Sequence, residues 1–375
     1  MTEPKEEFAK RPELQPWNIS EDKFPSKGSY HDKLRFFINY AILAPSSHNT
    51  QPWLFKVVGN TIELYADRTR GLQVVDPEDR ELTISCGAAL FHLLLAIRHF
   101  GFTYKLEILP NEEDVDLLAQ VNLEDKLEQS EEEENLLFKA ITKRRTNRSK
   151  FEDKEIPESL LSKLQSSSYS SINKEFLSQS STATPATTVK AALEQVWLHI
   201  SKDKSEKVVL ADLIAEGDRI QMSDKRFRRE LASWIHQNRS HSKDGMPGYA
   251  FGFNEVMSLM GPFVIRTFDA GKGQSAKDRQ LATGSPILAV IGTKKSDKPM
   301  DWIAAGMVLS RTLLLARSQD VWCSFLDQPI EVAELRHKVT EAINEEGFPQ
   351  VLMRMGYGKE DVIPTPRRSA EEVLH

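Results

Sequence analysis

The chain has 375 residues and a net charge of −6, from 49 Lys and Arg against 55 Asp and Glu. This acidic balance, without a long basic tract, argues against a nucleic-acid partner. No apolar run reaches the roughly 18–20 residues that span a bilayer, and residues 1–18 lack the apolar stretch of a secretory signal. Cys86 and Cys323 cannot build a disulfide framework, so we predict two buried thiols in a cytoplasmic, globular protein with no membrane partner.

The first part of the chain predicts an arm, a helix and a hairpin. Residues 1–30 are polar with scattered prolines and predict an extended N-terminal arm. Residues 34–43 are helical in pattern and stop before a proline, because the residue that precedes proline disfavours the helical conformation. Two β-rich runs, 54–58 and 61–66, flank a Gly-Asn pair, which predicts a hairpin with a two-residue turn.

A repeated pattern predicts two related units. Residues 79–100 and 302–318 are each apolar nearly all round, which predicts two buried helices, and a predicted strand follows each of them. We therefore predict two α+β units fused in one chain, over 31–123 and 136–375. The acidic run 124–135 between them predicts a solvated linker or the start of a helix.

The second half of the chain contains longer irregular stretches. Residues 189–238 are amphipathic and predict helix, whereas the Gly-rich residues 236–273 predict an irregular loop. Loops of this length are commonly functional lids or disordered segments. The remaining predicted elements are strands over 104–109, 286–291, 321–326 and 350–355, and helices over 136–143 and 331–342.

Two Arg-rich runs are candidates for anion binding. They lie at 143–148, which also contains Thr146, and at 367–368. Guanidinium groups match phosphate oxygens bidentately, and a hydroxyl adds a further donor. The runs predict a phosphate site, and the alternative is a solvated basic patch.

A polar loop between two prolines follows the first predicted helix. Residues 45–52 hold Ser, His, Asn, Thr and Gln side chains between prolines that restrict the path of the chain. These groups can hydrogen-bond the edge of a heteroaromatic ligand, and the alternative is an ordinary polar loop.

No sequence motif marks a catalytic side chain. Phosphate-loop, nucleophile-elbow and zinc-protease motifs are absent from the sequence. His236 and His241 near Asp244 leave a metal site as an alternative. We predict neither a metal nor a catalytic residue of the chain itself.

The polar loop resembles a known flavin-binding loop. Residues 44–53 read Ala-Pro-Ser-Ser-His-Asn-Thr-Gln-Pro-Trp, which resembles the A-P-S-x-x-N-x-Q-P-W loop of the nitroreductase superfamily, whose members bind FMN. Residues 144–148, followed by Phe151, resemble the superfamily's R-x-S/T-x-R segment, which holds the FMN phosphate. Residues 355–374 resemble its closing segment, whose arginine also reaches the phosphate. The resemblance covers about residues 30–375 and implies a nitroreductase-like α+β fold with mostly antiparallel sheets and long buried helices.

The order of these motifs departs from that of ordinary nitroreductases. In those proteins the Arg segment opens the subunit and the polar loop follows, and two chains form two FMN sites at their interface. Here the loop lies in the first unit and the Arg segment opens the second. The resemblance therefore implies a fused pseudo-dimer with a single intact FMN site, similar to the Acg-like two-unit branch, and a further homodimer stays open.

The resemblance also implies roles for individual residues. It places at the FMN phosphate Arg144, Arg145, Thr146, Arg148, Arg367 and Arg368. It places at the flavin ring Pro45, Ser46, Ser47, Asn49 and Gln51 and, more loosely, the backbone of Ser324, Phe325 and Leu326. An insertion at about 205–275 is implied to be a lid, with candidates Met246, Tyr249, Phe251 and Phe253.

The implied function is that of an FMN-dependent NAD(P)H oxidoreductase of the nitroreductase type. NAD(P)H gives a hydride to flavin N5, and a small-molecule acceptor such as a nitroaromatic or a quinone takes the electrons, so the flavin carries the chemistry. A closed lid favours an alternative, a flavin-sequestering protein with little turnover. A degenerate member that no longer holds FMN is a third alternative.

Overall fold

A computed structural model of the protein describes residues 11–126, 132–166, 185–358 and 362–375. Its helices are α1 (Tyr30–Ala41), α2 (Arg80–His99), α3 (Glu132–Ile141), α4 (Glu158–Ser166), α5 (Pro185–Leu193), α6 (Lys204–Ser223), α7 (Lys225–Ser233), α8 (Glu255–Thr267), α9 (Gly271–Thr283), α10 (Pro299–Ser318), α11 (Gln328–Glu331) and α12 (Ala333–Ala342). Its strands are β1 (Trp53–Val58), β2 (Thr61–Ala66), β3 (Phe102–Ile108), β4 (Leu117–Lys126), β5 (Val196–Ser201), β6 (Ile235–His236), β7 (Met246–Pro247), β8 (Ile287–Thr293), β9 (Trp322–Phe325) and β10 (Phe348–Gly356). Antiparallel sheets and long buried helices confirm the predicted α+β class.

Two four-stranded antiparallel sheets, one in each half of the chain, share one topology. The first sheet has the order β1-β2-β4-β3 and the second has the order β5-β8-β10-β9. In each sheet the first two strands along the chain are neighbours, a long helix follows the second strand, and the last two strands pair in reversed order. That helix is α2 in the first unit and α10 in the second. Both halves are therefore α+β units built to the same plan.

The two units differ most between their first and second strands. In the first unit a tight turn joins β1 to β2, and its Gly59 has a φ of +62°, a conformation that glycine adopts at little cost. In the second unit residues 202–286 separate β5 from β8 and contain α6 to α9. The insertion expected at about 205–275 lies inside this segment.

The two long helices cross at a pair of glycines. A Cβ atom on Gly87 of α2 would lie 2.3 Å from the Ile303 carbonyl oxygen of α10, and one on Gly306 would lie 2.0 Å from the Ile84 carbonyl oxygen. The contact is reciprocal: Gly87 meets Ile303, three residues before Gly306, and Gly306 meets Ile84, three residues before Gly87. By length and composition α2 resembles a membrane span, but 94% of its apolar stretch is buried inside the protein.

The N-terminal arm differs from the extended chain that its polar sequence predicts. The segment Pro12–Asn18 forms a 3₁₀ helix, and its Trp17 is buried. The indole nitrogen of Trp17 donates to the Thr365 carbonyl oxygen at 2.8 Å. A buried aromatic side chain therefore fixes this segment against the C-terminal tail.

In its described part the acidic run 124–135 is not a linker, and it contains the helix start that was the alternative prediction. Residues 124–126 belong to β4, and residues 132–135 belong to α3, whose other face is buried. Acidic side chains are favourable at a helix N-terminus because they oppose the positive end of the helix dipole. The acidic run thus contains a helix start, while residues 127–131 lie outside the described residues.

Two predicted elements of the second unit are also corrected. The helix predicted over 189–238 is interrupted by β5, whose β-branched and aromatic residues pair along β8, and tertiary pairing overrides the local helical pattern. The loop predicted over 236–273 contains α8. This helix begins after Asn254, whose side chain accepts a hydrogen bond from the Met257 backbone, and it accommodates Pro262 in its interior.

Replacing Gly87 or Gly306 with alanine should destabilise the fold, because each new methyl group would overlap a carbonyl of the other long helix. Overpacking of this kind costs roughly 1–3 kcal/mol. The matched control is Gly273→Ala in α9, where no described atom lies within 4 Å of the added Cβ, and alanine there should be neutral or stabilising by up to about 1 kcal/mol. Chemical unfolding compares the three variants, and equal midpoints for G87A and G273A would contradict the close crossing.

Candidate functional site

A large cavity lies where the two units meet. Its volume is about 590 Å³, within the usual range for small-molecule and cofactor sites. Its walls come from the polar loop (residues 44–53), the Arg segment (residues 143–148), the first turns of α2, the insertion and the C-terminal tail. Both units therefore contribute to it.

The polar loop has an unusual backbone. His48, Asn49 and Gln51 have φ values of +50°, +57° and +53°, which fall in the left-handed region that side chains disfavour. Ser46 Oγ accepts a hydrogen bond from the Gln51 backbone at 2.9 Å and supports this turn. Backbone strain of this kind clusters at ligand-binding loops. The loop geometry therefore indicates a binding role for this wall of the cavity.

Asn49 ties three segments together at the cavity. Its side-chain nitrogen donates to the carbonyl oxygens of Gly245 at 2.8 Å and Pro366 at 3.0 Å. Its side-chain oxygen accepts from Arg367 at 2.5 Å, and the Gly245 backbone nitrogen donates to the Asn49 carbonyl oxygen. The polar loop, the base of the insertion and the tail are thus held by one buried amide.

Three arginines of the cavity lining have no ion pair with a carboxylate among the described residues: Arg144, Arg148 and Arg367. We call them the arginine wall. Burial lowers the pKa of Arg144 and Arg148 to about 10. Burial, together with the charge of Arg144, lowers the pKa of Arg367 well below its usual value. Clustered guanidinium charges away from water are costly unless an anion compensates them, so the wall indicates an anion site.

The N-terminal arm reaches this wall through Trp17. The ring centroid of Trp17 is 3.8 Å from the guanidinium carbon of Arg145 and 4.7 Å from that of Arg367. Cation–π contacts of this type hold guanidinium groups in place. Arg354 on β10 also contacts the Arg segment, because its guanidinium donates to the Asn147 carbonyl oxygen at 3.2 Å.

A second part of the lining is acidic, and we call it the carboxyl wall: Glu81, Asp218, Asp327 and Glu331. Burial raises the pKa of Asp218 to about 8, and the charge of Asp278 adds to this rise. Burial also raises the pKa of Asp327 to about 8 and the pKa of Glu331 well above its usual value, with the charge of Glu81 adding to both. The cavity thus combines a cationic wall with three carboxyl groups whose pKa values are raised, those of Asp218, Asp327 and Glu331.

The insertion covers the cavity. Met246, Phe251 and Phe253 line it, and the guanidinium carbon of Arg148 lies 5.0 Å from the Phe251 ring centroid. One side of α8 also lines the cavity, whereas on its outer side Val256 is 72% exposed. Asn49 holds the insertion in place at Gly245, but several apolar side chains of α8 are exposed rather than packed against the protein.

Most of the predicted site residues line this one cavity: Pro45, Ser46, Ser47, Asn49, Arg144, Arg145, Thr146, Arg148, Phe325 and Arg367. The predicted lid residues that line it are Met246, Phe251 and Phe253. The predicted residues that lie outside the lining are Gln51, Ser324, Leu326, Arg368 and, in the lid, Tyr249.

Gln51 and Arg368 bind each other rather than the cavity. The Arg368 backbone donates to Gln51 Oε1 at 2.8 Å, and its guanidinium donates to the Gln51 carbonyl oxygen at 3.1 Å. This pair attaches the tail to the polar loop. Tyr249 is similarly committed, because its hydroxyl donates to the Pro364 carbonyl oxygen at 2.8 Å.

Ser324 and Leu326 are committed to the second sheet. Ser324 pairs with Arg354 between β9 and β10. The Leu326 backbone nitrogen donates to the Leu352 carbonyl oxygen, and its side chain is buried in the core beside that sheet. Of the three residues whose backbone the resemblance places at the flavin, only Phe325 therefore lines the cavity.

The other residues that the sequence singled out have structural partners. His236 lies 3.6 Å from Asp244, and His241 lies 3.3 Å from Glu13. Cys86 and Cys323 are buried and unbridged, as predicted.

Three features of the lining were not predicted from the sequence: the part played by Trp17, the charge state of His48 and the carboxyl wall. Trp17 is a single large aromatic residue in a polar arm, which is a weak signal. His48 lies in the polar loop, and burial together with the charge of Arg148 lowers its pKa to about 4, so its imidazole is neutral at pH 7. The carboxyl wall comes from α2, α6 and the segment around α11, which no sequence spacing connects.

Comparison with known proteins agrees with the motif analysis. The chain is 29% identical over 351 residues to "Putative NAD(P)H nitroreductase Rv3131" of Mycobacterium tuberculosis, covering 92% of this chain and 91% of that protein. It is 26% identical over 350 residues to "Putative NAD(P)H nitroreductase acg" of the same organism, covering 92% and 96%. These similarities confirm the resemblance to nitroreductases of the Acg type. No protein-family model matches the chain.

Among solved structures, the chain is similar to the FMN and NADPH-dependent nitroreductase NfnB from Sphigopyxis sp. strain HMH. The match covers 64% of this chain and 97% of that chain, at 17% identity and a TM-score of 0.40.

Asp218→Asn should make the protein less sensitive to alkaline pH. Because the pKa of Asp218 is raised from 3.8 to about 8 in the folded chain, the folded state keeps a proton that the unfolded state loses between about pH 4 and pH 8. The native protein therefore loses stability as pH rises through this window, by up to about 1.4 kcal/mol per pH unit. Urea unfolding at pH 5 and pH 9 should show the variant gaining stability relative to the native protein at the higher pH. A constant difference between the two would contradict the raised pKa.

Proposed function

We propose that this chain, whose relatives over 92% of its length are named as NAD(P)H nitroreductases, is an FMN-dependent NAD(P)H oxidoreductase of that type. The observation that carries the proposal is the arginine wall: Arg144, Arg148 and Arg367 face one cavity, and no carboxylate in the described part of the chain pairs with them. The cavity also combines polar and apolar walls, as cofactor sites do.

The arginine wall fits the phosphate of FMN. The Nε atoms of Arg144 and Arg367 are buried and have no hydrogen-bond partner among residues 11–126, 132–166, 185–358 and 362–375. Arg148 has a thioether sulfur at 3.6 Å and an aromatic ring as its contacts, and both are weak partners for a guanidinium. A phosphate accepts several charge-assisted hydrogen bonds and would satisfy these donors. We assign the phosphate to these three residues, with Arg145 and Thr146 beside them.

The polar loop fits an aromatic ring with a polar edge. Pro45, Ser46 and Ser47 line the cavity from the first unit, and Phe325 lines it from the second. FMN, when bound, would supply hydride and electron transfer between NAD(P)H and a small-molecule acceptor such as a nitroaromatic or a quinone. The chain's own residues would bind and orient it, and the neutral His48 adds no charge to the ring site. The insertion would limit the access of water.

We also propose that the two units act as a pseudo-dimer with a single site. The polar loop belongs to the first unit and the Arg segment to the second, so the cavity is complete only when both are present. The shared strand order and the reciprocal contacts of Gly87 and Gly306 support this proposal. The unit bounds of 31–123 and 136–375 and the cytoplasmic localisation stay predictions.

A flavin-holding protein with little turnover is the second candidate. Asn49 and Gln51 donate to backbone carbonyl oxygens of the insertion, and Arg70 pairs with Asp244 at 2.7 Å. These contacts favour a site that stays covered. The exposed outer side of α8 favours a cover that opens instead, with 72% of Val256 exposed. The two candidates differ in how fast NAD(P)H reduces the bound flavin.

Arg148→Ala should weaken FMN binding by roughly 10- to 100-fold. A hydrogen bond to a charged group contributes about 1.5–3 kcal/mol, and about 1.4 kcal/mol corresponds to tenfold in affinity. Arg148 is a better test than Arg367, because hydrogen bonds of Arg367 to Asn49 and Ala44 also hold the tail. Quenching of flavin fluorescence during titration measures the affinity.

The controls separate phosphate binding from general damage. Arg219→Ala removes an exposed arginine of α6 and should bind FMN like the native protein. Riboflavin lacks the phosphate, so the native protein should prefer FMN to riboflavin, and Arg148→Ala should reduce this preference. An unchanged preference in Arg148→Ala would place the phosphate elsewhere.

A further inference from the structure

The carboxyl wall contains a polar atom that the described structure leaves unsatisfied. Asp218 lies on α6, lines the cavity and is 3% exposed. Its Oδ1 accepts a hydrogen bond from Gln328 at 3.1 Å, but its Oδ2 is buried and has no hydrogen-bond partner among the described residues. A buried oxygen of this kind calls for a hydrogen-bond partner that the described residues do not supply, such as a water, an ion or a ligand.

Two further carboxyl groups accompany Asp218. Asp278 on α9 accepts from the same Gln328 amide at 3.1 Å, and Glu331 on α11 lines the same cavity. Among the basic residues of these two helices, Arg219 of α6 is exposed, and Lys277 of α9 lines the cavity but is also exposed. No ion pair to a basic side chain of the described ranges is formed by Asp218 or by Glu331.

Arg80 satisfies the other end of the carboxyl wall. Its guanidinium donates to Glu81 at 2.9 Å and to the Gln350 carbonyl oxygen at 2.8 Å. Glu81 also accepts from the Ser47 hydroxyl at 2.5 Å. Arg80 is committed there, and within the described part of the chain Asp218 at the other end forms no ion pair.

We infer that Asp218 and Glu331 bind the cationic group of a small organic ligand, of the amidinium or alkylammonium class, in the same cavity as the proposed FMN. Met222 and Phe227 line this cavity and form an apolar cluster with neighbouring side chains, so they would contact the apolar body of such a ligand. No group of three or more His, Cys, Asp or Glu side chains in the described ranges is arranged to hold a metal ion. An organic cation fits this wall better than a metal.

The inference of a cation site rests on Asp218 and the carboxyl groups near it. The further step, that the bound cation is the electron acceptor, rests on the proposed function. The class of substrate that follows is a reducible small molecule that carries a positive group.

Protonation of Asp218 gives the site a pH signature. The pKa of this carboxyl is raised to about 8 by burial and by the charge of Asp278, and the Gln328 amide and Arg219 oppose the rise. Asp218 therefore holds a proton at pH 7, and a bound cation would displace it. Affinity for the cation should increase as pH rises through about 8, with release of a proton.

A purely structural role would not require a carboxyl group at position 218. Asparagine has nearly the same shape and can still accept a hydrogen bond from Gln328, and it avoids a buried ionisable group with no cation beside it. A residue that lowers stability at alkaline pH is typical of a functional site. A cationic ligand that binds the carboxylate therefore explains why this position is aspartate rather than asparagine.

The probe for this site is 4-aminobenzamidine, a fluorescent aromatic amidinium, titrated into the full-length protein with and without added FMN. The neutral isostere 4-aminobenzamide is the matched ligand control. We expect the native protein to bind the amidinium at least 10-fold more tightly than the amide at pH 8, and more tightly at pH 9 than at pH 6. Asp218→Asn should remove both differences, and Glu331→Gln should reduce them.

Asp212→Asn is the matched protein control, since Asp212 lies on the same helix but is 58% exposed and pairs with Arg279. It should bind both ligands like the native protein. Equal binding of amidinium and amide by the native protein, or an unchanged preference in Asp218→Asn, would overturn the inference. Binding of the amidinium by a protein that neither retains FMN nor oxidises NAD(P)H would support the cation site and contradict the proposed function.

Discussion

The close contact of α2 and α10 is the constraint on which the site depends. Gly87 and Gly306 let two backbones approach to a distance that any side chain would prevent. The first turns of α2, which contain Glu81 and Ile84, thereby form part of the cavity lining together with residues of the second unit. Ser47 of the polar loop is bonded to Glu81, so the loop is attached to the crossing. The packing of the two units and the shape of the cavity therefore have one origin.

The cavity separates charge in a way that the fold alone does not explain. Among the described residues, the arginine wall has no ion pair with a carboxylate and Asp218 has none with a basic side chain, although both line the same cavity. Keeping them apart costs stability but leaves a site in which an anion and a cation can each find a partner. A phosphate-bearing cofactor and a positively charged small molecule would together satisfy both walls.

Sequence predicted the parts of this arrangement that depend on short-range spacing. The loop motif with Ser46 and Asn49, and the Arg segment with Arg144, are local patterns, and the structure brings both to one cavity. The two buried helices followed from their apolar composition. Trp17 and Asp218 were missed because they reach the cavity through tertiary packing of a short 3₁₀ helix and an inserted helix. Strand β5 was predicted as helix because its pairing partner β8 is distant in sequence.

The most direct test of the central claim is anaerobic titration of the purified protein with FMN, followed by addition of NADPH, with the visible flavin spectrum recorded throughout. A single cavity built from both units predicts saturation at one FMN per chain. An oxidoreductase predicts that NADPH then bleaches the flavin band. Binding of two FMN per chain, or of none, would contradict the single-site account. A flavin band that dithionite bleaches but NADPH leaves unchanged would contradict the proposed enzyme and indicate a flavin-holding protein.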